Sequence, residues 1–166
     1  MNLESKILDA LFDTLNDIGA HYCVMNNYRD LPDFIPSDVD ISIDKDTFGV
    51  LDSLVVDLAE RFDVGVAQKI WHGYRKCAYI LSPTRIDMRF YLQLDFFVDF
   101  SGRGYPNLLP WADMQKGKRA FKNFYIPAPE VEAPFILQRR IFKGDIKPAH
   151  VKTLSELFNG NEDVIA

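Results

Sequence analysis

Asp38-Val39-Asp40-Ile41-Ser42-Ile43-Asp44 alternates polar and apolar residues without a break. That is the period of a half-buried β-strand. On a strand, residues two apart share a face, so Asp38 and Asp40 stand side by side while Val39, Ile41 and Ile43 turn into a core. Two carboxylates this close repel and raise each other's pKa unless a cation compensates. A hard divalent ion is the usual compensator, because it takes oxygen ligands and leaves positions for phosphate. The plainer alternative makes Asp38 a turn residue after Pro36-Ser37 and Asp40 a solvent-facing strand position.

The sequence on either side of this strand frames it. From Leu3 to Ile18 the apolar residues Leu3, Ile7, Leu8, Leu11, Phe12, Leu15 and Ile18 recur at helical spacing, and Gly19 is a natural stop. His21–Met25 reads as a short strand, and the Pro- and Asn-rich residues 26–37 as a loop. Beyond the Asp pair, Phe48, Leu51, Leu54, Val55, Leu58 and Phe62 predict one amphipathic helix with Asp44 or Asp46 as its N-cap. Three β-like runs follow, Val64–Trp71, Tyr74–Leu81 and Ile86–Val98. The short connections His72-Gly73 and Ser82-Pro83-Thr84 predict antiparallel hairpins, and Ser101–Gly104 ends the sheet. The remainder predicts a helix near Trp111–Phe121, an extended piece Phe124–Ile126, and helices Pro129–Phe142 and Pro148–Phe158. The order implies an α+β domain with a mixed β-sheet flanked by helices: a core over residues 1–126 and a short helical C-terminal extension, 127–166, of the same domain.

A third acid lies in Leu92-Gln93-Leu94-Asp95-Phe96-Phe97-Val98, where Asp95 interrupts one of the most apolar runs of the chain. A buried carboxylate costs several kcal/mol in isolation, so Asp95 meets a metal, a cation or hydrogen-bond donors. If its strand lies beside the Asp38–Asp44 strand, three carboxylates converge, the geometry for two metals roughly 3.5–4 Å apart. Asp99 shares the face of Asp95 by the same period, but the apolar flanks Leu94 and Phe96 favour Asp95. An EF-hand is excluded, because the sixth position from Asp38 is Ile43 rather than Gly and the twelfth is Gly49 rather than Glu. A metal-dependent glycosyltransferase also uses Asp-x-Asp, but only 37 residues precede the pair here. His72 reads as a surface or structural residue at a hairpin tip, Trp71 and Tyr74 as packing, and Arg139-Arg140 with Lys143 as a solvated helix face or else as the acceptor side of a cleft.

Composition narrows the partners. The 166 residues are 48% hydrophobic and 26% charged, enough to bury a core. Cys23 and Cys77 form no paired motif, which excludes a cysteine zinc site and suits a reducing cytoplasm. No run is long and apolar enough to span a membrane, and the N-terminal residues lack a secretory pattern. The net charge of -5 argues against generic nucleic-acid binding. Residues 1–100 carry 9 Lys/Arg against 17 Asp/Glu, and residues 101–166 carry 10 against 7. An acidic half is thus joined to a basic tail, which is either a solvated helical surface or a set of cations that meets phosphate.

The helix, strand, loop, Asp38-Val39-Asp40 strand and later Leu94-Asp95-Phe96, in that order, resemble the DNA polymerase β-like nucleotidyltransferase superfamily. Tyr22–Asp44 is similar in particular to small bacterial members associated with polysaccharide and cell-surface biosynthesis, as is the stretch from Phe97 to Gly104. The resemblance covers about residues 3–145. It implies a nucleotidyltransferase-like fold and transfer of a nucleotidyl group from an NTP to an acceptor hydroxyl or phosphate. Asp38, Asp40 and Asp95 would be catalytic and would hold Mg²⁺ (or Mn²⁺), with Asp95 helping to deprotonate the acceptor. Asn26 and Asn27 would stand where the family has a Gly-Ser turn that cradles phosphate, with Ser37 adding a hydroxyl. Arg103 or the Lys116/Lys118/Arg119 cluster would neutralise phosphate charge. Asparagines in place of glycine leave a second reading open, a catalytically degenerate nucleotide- or partner-binding module.

Overall fold

The computed structural model describes residues 2–102 and 104–159. Arg103 and the polar end after Asn159 lie outside them. A five-stranded mixed sheet organises the chain, in the order β1 (Tyr22–Val24), β2 (Val39–Ile43), β5 (Leu92–Phe97), β4 (Lys76–Pro83), β3 (Val64–Gly73). Only β2 and β5 run parallel among these neighbours; the other pairings are antiparallel. Six helices accompany the sheet among the described residues: α1 (Leu3–Asp17), α2 (Lys45–Gly49), α3 (Leu51–Arg61), α4 (Trp111–Met114), α5 (Pro129–Lys143) and α6 (Pro148–Asn159). Two small antiparallel ribbons complete the α+β arrangement, β6 (Phe100–Gly102) with β7 (Tyr105–Leu109), and β8 (Arg119–Phe121) with β9 (Phe124–Ile126). No described helix is long and apolar enough to cross a membrane.

Strand alternation sorts the sheet residues into two packed clusters. Val39, Ile41 and Ile43 of β2 and Leu92, Leu94 and Phe96 of β5 join Ile7, Leu11 and Phe12 of α1 and Leu54, Val55 and Leu58 of α3 in one core. On the other face, Cys23 and Phe97 meet Val131, Phe135 and Ile136 of α5. The sheet is therefore covered on both sides, and a polar residue of β2 or β5 on the α5 face is buried whatever its chemistry.

Both long helices on these faces have ordinary local causes. Asn2 caps α1, its side chain accepting from the Ser5 amide at 2.8 Å, and Gly19 follows at φ +69°. In α5, Pro129 occupies the first turn and Gly144 terminates it at φ +65°.

Several expectations need correction. The helix foreseen over Phe48–Phe62 is two, α2 and α3, broken at Val50, whose amide bonds back to Thr47 O at 3.1 Å. The β3–β4 turn is Tyr74-Arg75, with Arg75 at φ +51°, not His72-Gly73. Residues 84–91 form a loop rather than a hairpin turn and the start of a strand. Ser101 and Gly102 belong to a new ribbon, and the helix expected to reach Phe121 stops at Met114. Trp71 and Tyr74 are exposed, at 59% and 83%, so neither is a core residue, although the Trp71 ring meets Phe48 edge-on at 6.2 Å and has Lys69 Nζ 4.6 Å from its centroid.

Candidate active site

The parallel pairing of β2 with β5 places Asp40 directly beside Asp95. Adjacent strands lie about 4.8 Å apart, so two carboxylates on one face at one register level necessarily meet. Asp38, on the same face at the entrance to β2, completes the group. One oxygen from each of the three lies within 4.8 Å of the others. Asp40 and Asp95 are buried, and the Asp38 side chain is 31% exposed.

Specific donors hold this cluster. Gln93 Nε2 donates to Asp95 Oδ1 at 2.8 Å, two residues back on the same face of β5. Asn26 Nδ2 donates to Asp40 Oδ2 at 3.0 Å. Arg139, reaching down from α5, donates through Nη1 to that same Oδ2 and places Nη2 at 3.5 Å from Asp38 Oδ2. Its side chain is only 12% exposed. Burial pushes the Asp40 carboxyl above its ordinary value, and Asp38 and Asp95 add to that, while Arg139 opposes it. Burial alone would weaken the Arg139 charge, but Asp40, then Asp38 and Asp95, outweigh it and strengthen its hold on the proton.

A cleft of about 330 Å³ opens over the acids. Its charged lining is Asp38, Asp40 and Asp95 against Lys76, Arg139 and Lys143. Lys76, in β4, sits among Phe97 and Phe100 with both ring centroids at 5.9 Å, and burial lowers its pKa. His72 lies at the cleft's mouth and is exposed. The donor set, three carboxylates converging on one point, suits a hard divalent cation such as Mg²⁺ or Mn²⁺.

The other expected residues divide. Asn26 touches the acid cluster. Asn27, at φ +53°, donates to Ser37 Oγ at 3.5 Å, and both asparagines line a second cleft of about 340 Å³ that also takes in Arg29, Arg140 and His150. Ser37 lies beside a third, donating to its neighbour's carbonyl, Asp38 O, at 3.3 Å. Asp99 accepts from the Trp111 amide at 2.9 Å, outside the cluster. The Lys116/Lys118/Arg119 cluster is engaged elsewhere. Lys116 pairs with Asp113 at 2.6 Å, Lys118 stands over the Tyr125 ring, and Arg119 bonds Pro127 O and faces Glu132.

Lys76 is absent from the sequence reading, and Arg139 enters it only as one of three cations on a solvated face or the acceptor side of a cleft, not as a partner of the acids. Only a helix lying across the acid face tells Arg139 apart from Arg140, which pairs with Asp145 at 3.1 Å. Lys76 follows a turn, where a lysine is unremarkable. The signal was its period-two relation to Ala78, the residue that pairs with Asp95. No family model, curated protein or solved structure matches this chain.

Proposed function

We propose that the chain is a nucleotidyltransferase, metal-dependent, moving a nucleotidyl group from an NTP to an acceptor hydroxyl or phosphate. What carries the reading is the in-register Asp40–Asp95 pair with Asp38 beside it, all three within 4.8 Å, under a cleft with three cations. Asp38, Asp40 and Asp95 would hold Mg²⁺ or Mn²⁺, which supplies Lewis acidity to the phosphates and lowers the pKa of the attacking hydroxyl. Asp95 receives the acceptor's proton. Its Oδ1 is committed to Gln93, and Oδ2 has no protein donor among the described residues. The acceptor oxygen forms a bond to the α-phosphorus, the bond to the bridging oxygen breaks, and pyrophosphate leaves with that electron pair. Lys76 and Lys143 face the polyphosphate, and Phe97, Phe100 and Phe135 keep the cleft's inner wall apolar. The nucleotidyltransferase-like fold belongs to the same proposal, on the order of helix, strand and acid-bearing strands.

The test is pyrophosphate release from each of the four NTPs with Mg²⁺ and candidate acceptors. Asp95→Asn should abolish turnover and leave the fold intact, and full activity in that variant would sink the reading. A second reading, a non-catalytic nucleotide- or partner-binding module, is favoured by one observation: Arg139 already pairs with both Asp38 and Asp40. Thermal shifts separate the two. A nucleotide at about 100 times its dissociation constant adds about 2.7 kcal/mol of stability. Stabilisation by NTP without metal, with no pyrophosphate released, would support the module.

A further inference from the structure

Arg139 stands where a metal ligand's lone pairs would be needed. Its guanidinium bonds Asp40 Oδ2 and faces Asp38 Oδ2 at 3.5 Å, so two of the three acids are bridged by one side chain from one helix. The contact is largely desolvated: the Arg139 side chain is 12% exposed and that of Asp40 9%. Breaking such a pair without replacing its charge is costly, so whatever binds Asp40 has to give Arg139 another anion.

The charge of the cleft says which anion. Three acids, Asp38, Asp40 and Asp95, face three bases, Lys76, Arg139 and Lys143, and the cleft is balanced as it stands. Two divalent ions entering alone would add four uncompensated positive charges beside Arg139 and Lys76. A triphosphate chain brings about four negative ones. A planar guanidinium also matches phosphate oxygens bidentately as well as it matches carboxylates.

Resting on the nucleotidyltransferase reading, we infer that Arg139 is an exchangeable counter-ion, bound to Asp38 and Asp40 in the empty site and transferred to the polyphosphate when metal and triphosphate enter together. The consequence is coupled binding. Metal alone competes with Arg139 and binds weakly, metal with triphosphate binds tightly, and by reciprocity metal raises triphosphate affinity by the same factor. Arg139 is then a residue that selects for a polyphosphate substrate.

The experiment uses Mn²⁺ as the metal and reads protein-bound Mn²⁺ by electron paramagnetic resonance and calorimetry, with no turnover required. The unmodified protein is titrated with Mn²⁺ alone, then with preformed Mn²⁺–inorganic triphosphate and with the Mn²⁺ complexes of the four NTPs. Arg139→Gln is titrated in the same way. The expected result is weak binding of Mn²⁺ alone to the unmodified protein, at least about tenfold tighter binding of Mn²⁺ alone to Arg139→Gln, and loss of most of the coupling in the variant. Tighter binding with inorganic triphosphate but not with any NTP would keep the exchange and make free polyphosphate the ligand. Mn²⁺ alone binding equally to both proteins would overturn the inference while leaving the acid cluster a metal site. No Mn²⁺ bound under any condition would overturn it together with the metal-dependent reading. Should Arg139→Gln fail to fold, Arg139→Lys, which keeps the charge but does not span both carboxylates, is expected to bind Mn²⁺ alone more tightly than the unmodified protein does. The unmodified protein's own titration decides the coupling without any variant.

Discussion

Asp40 and Asp95 sit side by side and are both buried, yet the same change in each has different consequences for the empty protein. In Asp95→Asn the amide oxygen still accepts from Gln93, and one negative charge leaves a three-acid cluster. Its stability in urea should match the unmodified protein or exceed it, even as turnover disappears. Asp40→Asn strips Arg139 of its closest partner and leaves it with Asp38 at 3.5 Å. That variant should lose on the order of 2–3 kcal/mol. Equal losses in the two variants would mean that Arg139 does not organise the cluster. The two positions were also unequally legible. The acids announced themselves, Asp38 and Asp40 by period and Asp95 by the apolar run around it. Nothing local singles out Arg139 from Arg140 and Lys143 as the acids' partner, because that depends on which face of the sheet α5 crosses, a packing decision made by Phe135 and Ile136 against Phe97.

Asp44 closes the strand that carries the acids and opens the helix that follows. Its carboxylate accepts from the Asp46 amide at 3.0 Å, the Thr47 amide at 2.8 Å, the Thr47 hydroxyl at 2.7 Å and the His21 amide at 3.0 Å. One side chain therefore caps α2 and ties the start of β1 to the end of β2. Burial works to raise the Asp44 pKa, but the Thr47, His21 and Asp46 donors outweigh it and hold the carboxyl below its ordinary value. A depressed folded-state pKa means that the unfolded chain protonates first as pH falls. The contribution is complete above the unfolded value of about 4 and is lost as pH falls through the lower folded value. Asp44→Ala should cost about 1–2 kcal/mol near pH 7, and the gap to the unmodified protein should narrow below about pH 4. A gap that stays constant down to pH 3 would show the cap to be indifferent to charge. This cap was readable from the sequence, as were α1 and the alternation of β2. The break between α2 and α3 was not, because the apolar stripe runs on through Gly49-Val50 and only backbone geometry interrupts it. The extended piece Phe124–Ile126 is β9, but its partner β8 and the ribbon β6–β7 were lost for a related reason: strands of three to five residues carry too few side chains to set a period.

The last two helices are unequal parts of the molecule. α5 buries Val131, Phe135 and Ile136 against the sheet and delivers Arg139 to the acids, so the sheet's second face is incomplete without it. α6 has no fully buried residue. It is held by partial packing of Leu154 and Leu157 and by an exposed Arg29–Glu156 pair at 2.7 Å, an interaction that contributes little in water. Cutting the chain after Asp145 should therefore leave a cooperative unfolding transition, with a modest drop in the urea midpoint and a slope nearly that of the full chain, because little surface is newly exposed. Cutting after Ile126 removes α5 as well and uncovers Cys23, Met25, Phe97 and Phe100. That protein should lose the cooperative transition or aggregate. The same pair of truncations bears on the site. Without α6, Mn²⁺–triphosphate binding should persist, since every charged residue lining the acid cleft lies at or before Lys143. If removing α6 alone abolished binding, the second cleft, walled by Arg29, Arg140 and His150, would have to be counted as part of the substrate site rather than a separate hollow beside it.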